Sequence, residues 1–454
     1  MGEHPWEMTY HPLDSSVARC VALYGTVFYD PLEKQYRMWY KSRLNTHHDH
    51  TIPELELTEE KKNRAKEGYN RNVEVWDLSL YAESKDGTNW ERPNLGQCHF
   101  NGDNRNNIFA DFHGVSVILD QEEEDPQKRY KAIGFIRRLG GVYKRNSPDG
   151  IHWSTPQRAT DRSNEGAFNA CYVPHLGIYV AGSIERSSDP HYTFKSWSGK
   201  TGRKRVGVAQ ATDSKDLSNW THRTFIYPDV RDHPNTQFYG MTPFVYGDML
   251  LGFLHVFNNT GPGRGNDGGP IQAELIYSHD GKEWHRLDDR TPVVPIGPEG
   301  STDGGMITMT GNGTCLHNDN IVTYYSSAST GHGGLGDERN YSLSRATWQR
   351  DRLVAMQAGD TEGWLETVPL QTPGDNLEIN ADAEGGHIVV QVLDLEANVL
   401  SGFSSVDCVP IISDNLRHKV AWKDAGFSRI DQPVYLRFVM RNAKLFCFTS
   451  VKAN

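Results

Sequence analysis

The sequence predicts an all-β protein, a five-bladed β-propeller followed by a C-terminal β-sandwich, and three observations carry that prediction. Four stretches repeat one pattern: "SKDGTNW" (84–90), "SPDGIHW" (147–153), "SKDLSNW" (214–220) and "SHDGKEW" (278–284). Their aspartates, Asp86, Asp149, Asp216 and Asp280, stand 63, 67 and 64 residues apart, and a period of this kind marks a propeller or an array. Between the repeats, apolar residues alternate and break at turn residues, as in strands, and long helical patterns are absent. After about residue 352 the period ends while the alternation continues.

The units follow in order. The first holds "CVALYGTVFYD", a "PLEKQ" turn, "YRMWYKS" and "LSLYAESKDGTNW". The second holds "ADFHGVSVILD", an acidic turn, "RYKAIGFIRR" and "GVYKRNSPDGIHW". The third runs "EGAFNACYVP", "GIYVAGSIER" and "RVGVAQATDSKDLSNW", and the fourth "QFYGMTPFVYG", "MLLGFLHVF" and "AELIYSHDGKEW". A fifth, "DGGMITMTG", "IVTYYSSAS" and "YSLSRATWQRD", keeps the strands and lacks the terminal motif. Within about 53–69, "TEEKKNRAKEG" has a Thr cap, early acids, later bases and a Gly stop, so a short exposed helix is expected as an insertion in the first blade. The propeller is expected over 1–351 and the sandwich over 352–454, where "LEINADAEGGHIVVQVLDL" and "PVYLRFVMRNAKLFCFTSV" alternate around Gly and Asp turns.

Composition bounds the function. With 454 residues the chain is long enough for a large core and two or three domains. Its net charge of −11 is spread over short acidic clusters, with no Lys/Arg stripe to neutralise phosphates, so nucleic acid is not an expected partner. No apolar run approaches the ~20 residues that span a bilayer. The start "MGEHPWEMTYHPLDSS" has neither the basic nor the apolar region of a signal peptide, so a cytoplasmic location is expected. The six cysteines lie far apart without CxxC spacing and are expected to be buried thiols. Oligomeric state is not legible.

In S-x-D-G-x-x-W, Asp and Gly supply a turn that tolerates positive φ, Ser caps the loop, and Trp returns to pack between blades, which is a structural task. Five such blades followed by a sandwich resemble the five-bladed glycoside hydrolases, the family-32 and family-43-like superfamily of β-fructofuranosidases, arabinanases and xylosidases. More narrowly, "PWE" (5–7), "YRMWY" (36–40), "RYK" (129–131), "STDGGMI" (301–307), "TYY" (323–325) and "GDTEGWLETVPL" (359–370) resemble a broad bacterial group of family-32-like hydrolases. The likeness covers nearly the whole chain.

In a propeller the innermost strand of each blade lines a central funnel. Aligning the first strands on the turns that end them puts Val21, the Asp111–His113 segment, Glu165, Gln237 or Phe238, and Asp303 in equivalent slots. Glycoside cleavage needs a carboxylic acid for the leaving oxygen and a carboxylate as nucleophile or base. The resemblance implies three carboxylates from the first strands of blades one to three, and Asp111 and Glu165 match the second and third. Blade one departs, since Val21 does no acid–base work and the fructosidase signature "NDPNG" is absent. Glu7 is the nearest acid, either entering the funnel or sitting on a tail that closes the propeller as an outer strand; Asp303 is the replacement if Glu7 stays outside. Asp111 and Asp303 also read as turn or strand caps, and Glu165, after "DRSN", as a solvated loop residue.

Around these acids, His113, Gln237, Tyr239, His255, Arg186, Glu274 and His332 are candidates for sugar contacts. Glu274 equally reads as a structural acid on a third strand. Arg186, Arg203 and Arg205 lie around the third blade, and a guanidinium fork at the funnel suits an acidic sugar such as a uronate. No HxH or HExxH spacing supports a catalytic metal, so no cofactor is expected, and "NTHHDH" (45–50) reads as a solvated loop. Three functional readings stand: a glycoside hydrolase acting on a glycan-derived oligosaccharide with Glu7, Asp111, Glu165 and Asp303 as its acid–base pool; a polysaccharide lyase using Tyr or His beside a uronate; and a non-catalytic carbohydrate-binding propeller.

Overall fold

A computed structural model describes residues 3–10, 17–19, 21–45, 50–51, 75–100, 102–160, 168–195, 199, 201–261, 268–310, 312–333, 340–371 and 374–451. The helix expected within 53–69 lies outside them, as does Glu165. All regular structure among the described residues is strand, apart from short 3-10 turns. Residues 1–315 with 322–346 form one compact unit, and 316–321 with 347–454 form another.

In the first unit the chain makes successive antiparallel meanders. The first sheet orders Val21–Asp30, Gln35–Asn45, Val75–Ser84 and Ile108–Ala110. The second orders Gly114–Leu119, Tyr130–Ile136, Gly141–Ser147 and Gln157–Thr160, and the third Asn169–Val173, Ile178–Arg186, Arg205–Thr212 and His222–Ile226. A fourth meander comprises Thr236–Tyr246, Met249–Asn258, Ile271–Ser278 and His285–Arg286; a fifth comprises Met306–Met309, Asn320–Ala328 and Tyr341–Gln349. One parallel pair, Ile271 with Met306, joins these last two.

Apolar side chains fill the space between successive sheets, because each sheet is apolar on both faces. Trp39 and Tyr81 of the first meet Val115, Val117 and Tyr130 of the second. Ile133 and Val142 of the second meet Ala170 and Tyr179 of the third. Ala209 of the third meets Phe238, Met241 and Leu254 of the fourth, and Phe257 and Ile271 of the fourth meet Met306 and Ala328 of the fifth. Val27, Met38 and Leu80 of the first share a further core with Val322 and Tyr324 of the fifth.

Polar bonds link the first strands in the same order. Thr26 Oγ1 accepts from the Val117 amide at 3.0 Å, Ser116 Oγ accepts from the Ala170 amide at 2.9 Å, Asn169 Nδ2 donates to the Met241 carbonyl at 3.4 Å, and Thr242 Oγ1 donates to the Met309 carbonyl at 3.3 Å. Gly313 then lies so close to Val27 that a Cβ would stand 1.5 Å from its carbonyl oxygen.

The repeated motif is a turn in all four copies. In the second, Ser147 Oγ accepts from the Gly150 amide at 2.8 Å, and Asp149 Oδ1 accepts from the Ile151 and His152 amides at 2.9 and 2.8 Å. Gly87, Gly150 and Gly281 take φ of 70°, 74° and 72° there, and Leu217 takes 57° in the copy that lacks glycine. The second turn seats on the first sheet, the third on the second, and the first on the fifth. Arg37 Nη2 and Trp39 Nε1 donate to the Asp149 and Gly150 carbonyls, Lys144 Nζ donates to Asp216, and Tyr324 Oη donates to the Gly87 carbonyl at 2.7 Å. At this same end Asp30 accepts from Arg37 and Tyr130, and Asp120 repeats the device with Lys131 and Tyr179.

The second unit has two sheets. One orders Met356–Ala358, Ala443–Val451, Asn376–Asp382 and Asp414–Lys419; the other orders Gly363–Glu366, Tyr435–Arg441 and His387–Leu393. Leu377, Ile379 and Leu445 of the first share one core with Ile388, Val390, Leu436 and Phe438 of the second. Of the five described cysteines, Cys98, Cys171 and Cys408 are buried and Cys315 and Cys447 are half-buried.

Candidate functional site

The repeated turns take up one end of the first unit's sheets. At the other end each meander brings together the start of its first strand, the end of its second and the start of its third, because antiparallel pairing places Val21 opposite Ser42 and Ser42 opposite Leu78. Charged residues interrupt the apolar alternation here: Lys41, Asp77, Asp111, His113, Arg137, Arg186 and Arg205. Among the described residues no three His, Cys, Asp or Glu side chains converge as they would to hold a metal.

Lys41, Asp77 and His113, all buried, and Arg137, half-buried, form one cluster across the first two sheets. Asp77 Oδ1 is 3.0 Å from His113 Nδ1 and 3.9 Å from Lys41 Nζ, while Arg137 Nε donates to Asp77 Oδ2 at 2.9 Å. Arg137 Nη2 stands 2.7 Å and Lys41 Nζ 3.3 Å from the same His113 nitrogen, and Lys41 lies 4.5 Å over the Tyr24 ring. Burial opposes ionisation of Asp77, yet His113, Lys41 and Arg137 hold its carboxyl well below the usual range. Burial pushes the His113 imidazole down to about 3, Lys41 and Arg137 adding to the shift and Asp77 opposing it. At neutral pH the group is therefore a neutral imidazole between two cations and one carboxylate.

His113 is fixed from its backbone, whose amide donates to the Phe135 carbonyl at 2.7 Å, and the adjacent Phe112 amide donates to Ser79 Oγ at 2.9 Å. Asp111 is buried two residues earlier, at 4 % exposure. His113 was readable from the sequence as a polar residue at a strand start. Lys41, Asp77 and Arg137 were not nominated, although a lone charge inside "MWYKS" and inside "VWDLSL" is the signal that could have found the first two.

A second group spans the third, fourth and fifth meanders. Gln237 Oε1 accepts from the Arg205 amide at 3.1 Å and lies 3.5 Å from Arg205 Nη1. The Arg205 guanidinium stands 5.4 Å over the Tyr239 ring, and Tyr239 Oη is 2.9 Å from His332 Nε2. Arg186, paired with Arg205 in register, is exposed, and its Nη1 donates to the Arg203 carbonyl at 3.3 Å.

The other nominated residues lie apart. Glu7 is fully buried: Oε1 accepts from Tyr40 Oη at 2.6 Å and Oε2 from the Glu3 and His4 amides at 3.0 and 3.3 Å. Burial would raise its carboxyl, but these bonds and Arg92 hold it below the ordinary value. Tyr40 and Lys41 are neighbours on one strand and project to opposite faces, so Glu7 meets the first sheet on the face away from Asp77. Glu274 sits in an ion network, with Arg286 Nη2 at 2.7 Å and Asp232 on the same guanidinium at 2.6 Å. Burial raises its carboxyl against the pull of Arg286. His255 is buried, Nε2 accepting from the Met309 amide at 3.1 Å, and burial lowers it to about 4. Asp303 is half-buried at the start of the fifth meander and accepts from Ser301 Oγ at 2.8 Å. Glu165 lies outside the described residues.

No protein-family model matches the chain, and no curated protein does. Several solved structures are similar to it. A β-1,2-mannobiose phosphorylase from Listeria innocua, solved with β-1,2-mannobiose, is 11% identical with a TM-score of 0.45, over 77% of this chain and 96% of that one. A thermostable family-43 glycoside hydrolase is 11% identical with a TM-score of 0.42, over 72% and 89%. An exo-inulinase from Aspergillus awamori is 8% identical with a TM-score of 0.40, over 100% and 99%.

Proposed function

We propose that the first unit is a five-bladed β-propeller, the second a β-sandwich, and the chain a glycoside hydrolase that cleaves a glycan-derived oligosaccharide by carboxylate acid–base chemistry. The architectural reading is supported by the order of the inter-sheet cores and of the turn contacts, which run from first sheet to fifth and return to the first through Tyr324 and Gly87. One observation carries the functional reading: at the end of the sheets opposite the structural turns, Lys41, Asp77, His113 and Arg137 meet in one cluster across two sheets, whereas the ion pairs at the turn end, Asp30 with Arg37 and Asp120 with Lys131, repeat one device from sheet to sheet.

In this reading Asp111 and Asp303, just ahead of the second and fifth meanders, and Glu165, assigned to the equivalent slot from the sequence alone, supply the general acid and the nucleophile or base. Asp77 keeps Lys41 and Arg137 in place, and burial together with these two cations holds His113 neutral against the pull of Asp77, so that its ring can exchange hydrogen bonds with sugar hydroxyls. Glu7 serves the N-terminal segment instead.

Release of reducing ends from a panel of oligosaccharides and aryl glycosides tests this, with D111N, E165Q and D303N beside the wild type. Loss of about 10²-fold or more in turnover is expected for at least two of the three, the range that general acid or base removal costs. Full activity in all three overturns the assignment.

A further inference from the structure

We propose that Arg205, Gln237, Tyr239 and His332 form a subsite for the carboxylate of an acidic sugar, so that the substrate carries a uronate. The inference rests on the reading of the chain as a saccharide-processing protein, and it begins from the Gln237 amide. That side chain is fully buried. Its Oε1 is taken by the Arg205 amide at 3.1 Å, which fixes the amide's orientation. Nε2 is then a buried donor that meets no acceptor among the described residues. A buried donor left unmade is costly, and a group that brings an acceptor to it recovers that cost on binding.

The neighbours specify which acceptor. Arg205 carries a permanent positive charge and packs its guanidinium over the Tyr239 ring at 5.4 Å, and Arg186 stands opposite it on the adjacent strand. Tyr239 Oη and His332 Nε2, 2.9 Å apart, add a polar edge at the tip of the ring. A sugar hydroxyl brings a proton of its own and no charge. A carboxylate brings two acceptor oxygens and a charge that answers Arg205, so it matches a donor beside a guanidinium better. The group stands at the same end of the sheets as the Asp77–His113 cluster, as a positioning site for a neighbouring sugar ring would.

The test compares galacturonate and glucuronate with their methyl esters, by calorimetry or ligand-observed NMR on the whole chain. The free acids are expected to bind about tenfold or more tighter than the esters, the value of a charge-assisted hydrogen bond. R205A is expected to erase the preference, and Q237E to weaken acid binding further by setting a carboxylate against the ligand's own. R205K, which keeps the charge and loses the fork, is expected to retain part of it. Thermal unfolding of each variant separates loss of binding from loss of fold.

Equal binding of acid and ester by the wild type, or binding of neither, overturns the subsite. The hydrolase reading fails separately: acid binding without glycoside turnover, or turnover of a uronate oligosaccharide to an unsaturated product absorbing in the ultraviolet, keeps the subsite and removes hydrolysis. Turnover restricted to neutral glycosides does the reverse.

Discussion

Single side chains in this protein acquire their chemistry from neighbours that the sequence does not place beside them. His113 faces Asp77, Lys41 and Arg137, with Tyr24 and Phe135 as ring neighbours. Its folded pKa of about 3 lies below the ordinary histidine value, so between the two the unfolded chain binds the extra proton. Stability contributed by the neutral ring is present above the ordinary value and is lost as pH falls towards the folded one. The wild type should therefore lose stability between pH 7 and 5 more steeply than H113Q, as urea midpoints at the two pH values would reveal; parallel slopes would contradict it. Asp77, depressed in the folded state, stays ionised across that window and loses its contribution only below the ordinary carboxylate range. D77A strands Lys41 and Arg137 beside a buried ring and is expected to cost about 3–5 kcal/mol, against which D77N is the shape-preserving control. E7A removes the acceptor of Tyr40 Oη and should cost about 1–3 kcal/mol while sparing turnover of the folded fraction; a collapse of turnover in stable E7Q would return Glu7 to the chemistry.

At the scale of elements, the motif that recurs four times is a backbone device, and its glycines test that. Gly150 has φ of 74°, and a Cβ there would stand 3.0 Å from Arg37 Nη1 and from Trp39. G150A should therefore cost about 1–2 kcal/mol for the left-handed backbone alone, with crowding added, as read by chemical denaturation. An effect near zero would show that the turn relaxes freely. The third copy is a natural comparison: Leu217 takes the left-handed conformation, and its side chain is buried among Phe168, Tyr179 and Trp220. The motif was legible because Ser, Asp and Gly solve a local problem by local hydrogen bonds. Glu274 was legible only as a polar residue on a third strand. Its partners Arg286 and Asp232 come from an outer strand and a preceding loop, and no periodicity reports them.

For the whole molecule, the contacts between first and last sheets bind distant parts of the chain. Tyr324 donates to the Gly87 carbonyl across 237 positions of sequence. Y324F should cost about 0.5–1.5 kcal/mol and leave the turn's own bonds intact. The sequence by itself determined the strands, the turns between them and their period, because side-chain alternation and turn chemistry act over a few residues and leave their mark in the order of the chain. It also nominated strand ends as the place for chemistry; His113 and Gln237 lie at strand starts, Tyr239 lies just inside one, and His332 follows the end of Asn320–Ala328. Only the tertiary structure decided which charges meet. Alternation says which face a residue is on, but the identity of its neighbour depends on which sheet packs there. Lys41 and Tyr40 are adjacent in sequence, yet one face carries the first to Asp77 and His113 and the other carries the second to Glu7. Burial between sheets then fixes their protonation, since the cost of a charge in a packed interior is set by the groups brought to it.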